Sequence, residues 1–477
     1  MAASPTITGP AAAEQTGHPS HITSKLALVT RPTASSSDHT SVLFDGDDHV
    51  EANPSSSAVA GKKPSSRPLY SLEFFPPKTT QGLDNLYSRI ARMANPASQL
   101  PFPAEEIQTD GGEEENVVAR PSWVQVTWGA GGSTEQWSLE MASRIQGGKI
   151  PSAPPAFPPV RSARVNTQQA NPATQQLDAL LHLTCTNVTP TSLRSTLSAA
   201  RQAGIRNILA LRGDPPRGDE YWVASDSRFQ HATDLVHFIR SEHPDGFFCV
   251  GVAGYPEGHP DDAFTTLNDH HERGRQQIDA ISLDIRNLLA KQAAGAQFII
   301  TQLFYDVESF LSWEAKAIQA GVRIPIIPGM MPILNYQSFR RMTTLCRVNV
   351  PQSILDDLQH LKADDAKVRT YGVELCKSMI RTIWNNPFSQ VKAFHLCTLN
   401  LERSITRIVT QCEWWSAAAE RLKAIEEGSI APDQSLGSAS TAPRSPRGKN
   451  LKIQTDVSAP LQCGPMHLGE LADKVHE

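Results

Sequence analysis

The chain reads as an α/β protein, a closed (β/α)8 TIM barrel with disordered N- and C-terminal extensions. Eight short apolar, β-rich runs recur, near 70–74, 123–127, 180–184, 207–211, 248–252, 297–302, 324–328 and 392–398. Helical patterns separate most of them, which implies a parallel sheet, and eight repeats are the number that closes a barrel. Polar, aromatic and glycine residues gather where the runs end, the face on which barrels of this kind carry their chemistry. A doubly wound open sheet is the alternative, weakened because no GxGxxG follows the first run.

The elements follow in order. Ser71-Leu72-Glu73-Phe74-Phe75-Pro76-Pro77 is a strand stopped by two prolines, which cannot continue a ladder. Glu73 is expected near the strand's C-terminal end, walled by aromatic rings that raise its pKa and keep a proton donor available. The bland alternative is an edge-strand carboxylate facing water. Trp137, Met141 and Ile145 recur at helical spacing. Thr189-Pro190 followed by Leu193 and Leu197 supplies a cap, a first-turn proline and an apolar face, and Asp306 opens another helix in the same manner. The stretch 348–385 holds two further helices before the last strand.

Residues 1–67 are rich in Ser, Thr, Ala, Pro and charge without apolar periodicity, and 426–477 are similar. Both are expected to be disordered, leaving a barrel domain at 68–425. Residues 96–120 and 148–176 interrupt the rhythm and read as surface insertions.

A net charge of −5 with no basic stripe argues against nucleic acid, and no apolar run is long enough to span a bilayer. Seven scattered cysteines without a CxxC pair suit reduced thiols in a cytoplasmic protein. The N-terminus lacks the layout of a secretory signal, with a transit peptide as the minor alternative.

At the strand ends the sequence places Thr127-Trp128-Gly129-Ala130-Gly131-Gly132, His182-Leu183-Thr184-Cys185, Arg212-Gly213-Asp214, Tyr255 with His259, Thr301-Gln302, Pro328-Gly329, and His395 with Thr398 and Asn400. Each has a structural reading beside the functional one. The glycine loop serves a turn as well as a phosphate, and His182 suits a satisfied core histidine. His182, His259 and His395 match no metal-ligand spacing, so no metal is expected. Asp284, Asn287 and Lys291 share one helix face, fit for a ribose and a diphosphate or simply solvated. Leu283, Leu288 and Leu289 are expected to face the core.

Taken together these motifs resemble the methylenetetrahydrofolate reductase family, in its eukaryotic form, over roughly residues 69–412. The stretches that carry the likeness are Leu72-Glu73-Phe74-Phe75-Pro76-Pro77, Val126-Thr127-Trp128-Gly129, His182-Leu183-Thr184-Cys185, Ala210-Leu211-Arg212-Gly213-Asp214, Ala253-Gly254-Tyr255-Pro256 with His259-Pro260, Ile300-Thr301-Gln302, Ile327-Pro328-Gly329 and Thr398-Leu399-Asn400. The resemblance implies a barrel holding FAD at its C-terminal face. It also implies reduction of 5,10-methylenetetrahydrofolate to 5-methyltetrahydrofolate with NADPH or NADH, for methionine synthesis. Glu73 matches the family's acid, which opens the folate ring to a 5-iminium cation. Asp214 matches the carboxylate facing flavin and folate. Gln302 matches an amide contacting folate and nicotinamide in turn, and Thr127 a nicotinamide contact.

Flavin contacts carry over to Trp128, Ala130, His182, Arg212, Gly213, Ala232, Tyr255, His259, Asp284, Asn287 and Lys291. Ser338 stands at a folate-binding position where some members have Gln. Leu401 stands where an Arg commonly serves the folate tail, with Arg403 two further on, and His231 stands where a Tyr is common. The resemblance further implies a homo-oligomer whose partners are folate and a nicotinamide dinucleotide, with ping-pong hydride transfer. About fifty residues follow the last helix, too few for the S-adenosylmethionine-binding domain of eukaryotic members, so no such regulatory domain is expected in this chain. The competing readings are a catalytically silent regulatory paralogue and a metal-dependent aldolase barrel.

Overall fold

The computed structural model describes residues 18–31, 67–101, 118–128, 134–150, 177–214, 222–259 and 282–429. Its strands are β1 (Leu69–Phe74), β2 (Trp123–Val126), β3 (Ala179–Thr184), β4 (Asn207–Leu211), β5 (Cys249–Gly254), β6 (Phe298–Leu303), β7 (Ile326–Met330) and β8 (Ala393–Cys397). They pair in sequence order, all parallel, and β8 returns to β1 to close the barrel. Each run expected from sequence is a strand to within a few residues.

The helices begin with α1 (Ile22–Ala27), α2 (Thr80–Ala94), α3 (Glu135–Gln146), α4 (Pro190–Gln202), α5 (Ala232–Glu242) and α6 (Leu283–Ala293). They continue with α7 (Val307–Ala320), α8 (Tyr336–Leu345), α9 (Gln352–Leu361), α10 (Asp365–Asn385), α11 (Glu402–Gln411) and α12 (Ala419–Glu426). Their starts follow local chemistry. Thr189 and Ser192 form a reciprocal capping box with Pro190 in the first turn of α4, and the Asp306 carboxylate accepts from Ser309 N–H to open α7. Helices α9 and α10 are the two expected before the last strand. Among the described residues no helix is long and apolar enough to cross a membrane.

Strand parity sorts the side chains. Tyr70, Leu72, Phe74, Val124, Val126, Leu181 and Leu183 point outward into the apolar shell under the helices. Trp123, Leu180, Leu209, Cys249, Phe298, Ile327 and Ala393 point inward and fill the lower barrel. There the Phe298 ring leaves no room for a side chain on β5: a Cβ on Gly251 would stand 2.1 Å from it. Above this apolar floor the inward residues turn polar, with Ser71, Gln125, His182 and His395 all buried. The axis therefore runs from a dry base to a hydrogen-bonding mouth.

The base is closed by residues 18–31, which corrects the expectation that 1–67 is disordered throughout. Ile22 and Leu26 of α1 bury in the lower core. Asn207 accepts from Ile22 N–H at 3.1 Å and donates to Ser20 O at 2.9 Å, while Lys25 pairs with Asp178 at 2.7 Å. Arg31 donates to Val391 O, Trp384 O and Asn386 O at 2.6–2.8 Å and stacks on the Trp384 ring at 5.1 Å. A six-residue helix with two apolar positions offers less than two turns of periodicity, too little to register as a pattern.

The edges of the expected 96–120 insertion also belong to the fold. Leu100 and Val118 are buried, and Val118 bridges to Ser416. Residues 102–117 and 151–176 lie outside the described residues. The expected core face of α6 shifts too: Ile285 and Leu288 are buried, whereas Leu283 is exposed, because it occupies the helix's first turn.

Leu26→Ala should lower unfolding stability by about 2–5 kcal/mol, the usual range for emptying a buried leucine site, read from the urea midpoint of the full chain.

Candidate active site

The mouth is organised at the seam between β1 and β8. The turn after β8 places Leu399 and Asn400 at φ 48° and 59°, both left-handed without being glycine. That turn lets the Asn400 amide accept from Phe75 N–H and donate to Phe75 O, each at 2.9 Å. Thr398 donates to Glu73 O, and Arg89 donates to Asn400 O at 3.0 Å. The end of β1 is thus clamped, and with it the backbone that carries Glu73.

Glu73 does not stand among aromatic rings. Phe74 joins the outer shell, while Glu73 faces inward, its Oε2 3.5 Å from His395 Nε2 and 3.8 Å from His182 Nε2. Gln125 lies between the two imidazoles. Its amide donates to His395 Nδ1 at 2.9 Å, and its oxygen accepts from His182 Nε2 at 3.0 Å. An amide N–H can only donate, so His395 Nδ1 must accept and His395 must carry its proton on Nε2, aimed at Glu73. Ser71 Oγ adds a contact to His395 Nδ1 at 3.0 Å.

This setting overturns the raised pKa expected for Glu73. Burial is the largest influence and pushes the carboxyl up, but the His395 hydrogen bond and the charges of His395 and His182 outweigh it. The group lies below its ordinary value, chiefly because the His395 Nε2–H stabilises the carboxylate. Burial drives His182 down to about 4, so it is neutral near pH 7, and the hydrogen bond from His395 is the main restraint on Glu73.

A second cluster follows β3 and β4. Gly213 sits at φ +89°, and a Cβ there would meet Thr184 and Thr186, so only glycine makes this turn. Thr186 Oγ1 donates to Asp214 O at 3.1 Å and accepts from Trp222 Nε1 at 2.8 Å, while the Arg212 guanidinium lies 5.3 Å over the Trp222 ring. Asp214 is thereby fixed at the rim. Burial, assisted by Asp214, pushes the Cys346 thiol up to about 12. Burial also raises the Cys397 thiol, with Glu73 and then Cys346 adding to it. Asp214 follows β4 and Glu73 lies at the end of β1, and in an all-parallel barrel those ends share one face.

The third cluster joins β5, β6 and α6. Lys291 Nζ donates to Ala253 O at 2.9 Å and lies 5.8 Å over the Tyr255 ring, which meets His259 edge-on at 4.6 Å. Asp284 accepts from Trp313 Nε1. Tyr255 and Gln302 line a small pocket together with Cys346 and Arg347. Asn287 is an exposed residue on α6.

Other expected site residues stand apart. Ala130 lies outside the described residues. Trp128 is 2% exposed and packs in the outer shell, Ala232 is buried in the first turn of α5, and Ser338 has its backbone N–H bound by Asn335 at 2.8 Å. Ser71, Gln125, Thr186 and Trp222 were not foreseen as site residues, nor was a part for His395 beside Glu73. Alternation could have found most of the inward ones. Ser71/Glu73, Gln125/Thr127, His182/Thr184 and His395/Cys397 are polar at every second position of strands whose other face is apolar.

The hydroxyls of Thr127 and Thr184 are buried at this mouth with no protein hydrogen-bond partner. Orphaned inward hydroxyls call for a ligand with a hydrogen-bonding edge, and the site fits the flavin that the sequence motifs imply.

The depressed His182 pKa makes a stability prediction. The unfolded imidazole protonates near 6.5 and the folded one near 4, so stability is complete above the first value and is lost as pH falls through the interval. His182→Gln should flatten the fall in stability between pH 6.5 and 4.5 by on the order of 2–3 kcal/mol, measured by urea unfolding at each pH.

Comparison with known proteins adds the family. The methylenetetrahydrofolate reductase family model matches residues 59–100 and 160–413. A Schizosaccharomyces pombe relative, "Methylenetetrahydrofolate reductase 2", is 40% identical over 353 residues, covering 73% of this chain and 46% of its own. A rice relative, "Probable methylenetetrahydrofolate reductase (NADH)", is 36% identical, covering 72% of this chain and 48% of its own. The Escherichia coli "5,10-methylenetetrahydrofolate reductase" is 28% identical, covering 69% and 86%. The chain spans about half the length of the two eukaryotic relatives. With a family model matched across most of its barrel, the chain belongs to the methylenetetrahydrofolate reductase family.

Proposed function

We propose that this barrel reduces 5,10-methylenetetrahydrofolate to 5-methyltetrahydrofolate, with NADH or NADPH as reductant and FAD as bound carrier, supplying methyl groups for methionine synthesis. The observation that carries the reading is Glu73, an inward carboxylate held beside the Nε2–H of His395 at the mouth of the barrel. Arg212, Gly213, Tyr255, His259, Asp284, Asn287 and Lys291, with the unpaired hydroxyls of Thr127 and Thr184, are the groups that would hold the flavin. When bound, it supplies two-electron transfer between nicotinamide and folate.

Glu73 delivers a proton to the bridging folate nitrogen, which opens the five-membered ring to a 5-iminium cation. In the ligand-free barrel Glu73 is ionised. Burial is already its largest single influence, and its side chain retains only 13% exposure. A ligand covering the mouth removes that remainder and shifts the balance toward the protonated acid. His395 keeps the pair supplied, since its Nε2 proton faces the carboxylate. Asp214 offers a fixed negative charge to the cation, and Gln302 offers an amide to the pterin. Six described cysteines, all free thiols, suit a cytoplasmic setting.

Purified full chain should be yellow, and NADH or NADPH should bleach it without oxygen; a colourless protein that takes up no added FAD would favour a silent paralogue. Glu73→Gln should slow folate reduction by roughly 100-fold or more, within the range of general-acid effects. Nicotinamide oxidation by a quinone should continue at the parent rate. Equal loss of both half-reactions would remove Glu73 from the acid role.

A further inference from the structure

Three metal-ligand atoms meet where β1 and β8 close the barrel. Glu73 and Cys397 are Cα partners in the ladder, and His395 lies two residues before Cys397 on the same face. A Glu73 carboxylate oxygen, an imidazole nitrogen of His395 and the Cys397 sulfur all lie within 4.8 Å of one another. Glu73 Oε2 and His395 Nε2 are 3.5 Å apart. In a tetrahedral zinc site, bonds of ~2.0–2.3 Å put neighbouring ligand atoms roughly 3.3–3.8 Å apart. The cluster is therefore close to coordination geometry on rigid strands.

We propose that Glu73, His395 and Cys397 bind a thiophilic divalent cation of the zinc class, and that its occupation switches off folate reduction. The mixed sulfur, nitrogen and oxygen set selects such an ion over magnesium or calcium, which take oxygen. Three protein ligands leave a fourth position for water. The supporting shell is in place. Metal on His395 Nε2 requires the proton on Nδ1, where Ser71 Oγ lies 3.0 Å away to accept it. A half-turn of the Gln125 amide brings its oxygen to the same nitrogen and its N–H to His182 Nε2, which then accepts with the His182 proton on Nδ1. Proton balance is simple: the Cys397 thiol proton leaves to solvent, and the imidazole keeps one proton, moved from Nε2 to Nδ1.

A cation on Glu73 leaves no acid to open the folate ring. This blocking effect rests on the proposed reductase activity, whereas binding itself does not. The ion is an exchangeable inhibitor, so a chelator would protect activity, the opposite of a metal-dependent aldolase.

The test uses chelator-treated, FAD-loaded full chain titrated with Cd²⁺ as an optical probe and Zn²⁺ for kinetics. One equivalent of Cd²⁺ should produce a thiolate-to-metal charge-transfer band, and Cys397→Ala should weaken binding at least about tenfold, with Cys397→Ser as the second variant should the first not fold. Stoichiometric Zn²⁺ should suppress folate reduction at least about tenfold while quinone reduction continues, chelator should restore it, and Cys397→Ala should be active and resistant. A band or an inhibition unchanged by Cys397→Ala, or no stoichiometric binding, overturns the site. Binding through Cys397 that leaves folate reduction intact overturns the switch. A parent protein that binds Cd²⁺ through Cys397 but never reduces folate leaves the site standing and sinks the reductase reading instead.

Discussion

Closure of a parallel barrel depends on its last seam, and here the turn after β8 reinforces the ladder between β1 and β8. Asn400 satisfies both backbone groups of Phe75 immediately beyond β1, while Thr398 holds the carbonyl of Glu73. Two successive left-handed residues, Leu399 and Asn400, make this possible. Such backbone is unfavourable outside glycine, and it persists where surrounding bonds over-determine it. The strained turn and the candidate acid are thus parts of one arrangement: the bonds that impose the strain also aim the carboxylate.

The second organising feature is the change of character along the barrel axis. A floor of Trp123, Leu180 and Phe298 excludes water, and the polar layer above it is satisfied internally through Gln125. Because Gln125 presents its N–H to one histidine and its oxygen to the other, it fixes where each proton resides. A buried chain of this kind is costly when partly satisfied and rigid when complete. Its unsatisfied members, Thr127 and Thr184, lie at the upper edge, where a ligand can complete them.

The barrel was legible because eight apolar runs repeat with helices between them, and period and count together leave few topologies. Much of the site was legible from strand ends, since Glu73, Asp214, Tyr255 and Gln302 all fall there. The electrostatics of Glu73 were not. Adjacent aromatics in sequence point to opposite faces of a strand, so Phe74 could not wall the residue beside it. Its true neighbours, His182 and His395, come from strands far away in the chain. Helix α1 was hidden for a different reason: two buried residues in six carry no periodic signal, and their value comes from the hole they fill.

The segment of residues 18–31 has a consequence for how the chain is made. Its partners lie at Asn207, Trp384 and Val391, separated from it by 185 to 360 residues. Chains are synthesised at about 5–20 residues per second, so residues 18–31 leave the ribosome well before the residues they dock on. At that rate the residues that bind Arg31 follow it by tens of seconds, so this segment cannot complete its native contacts until the eighth strand emerges. Residues 18–31 thereby act as a late fastening, and early chaperone contact would fall on the segment that closes the base.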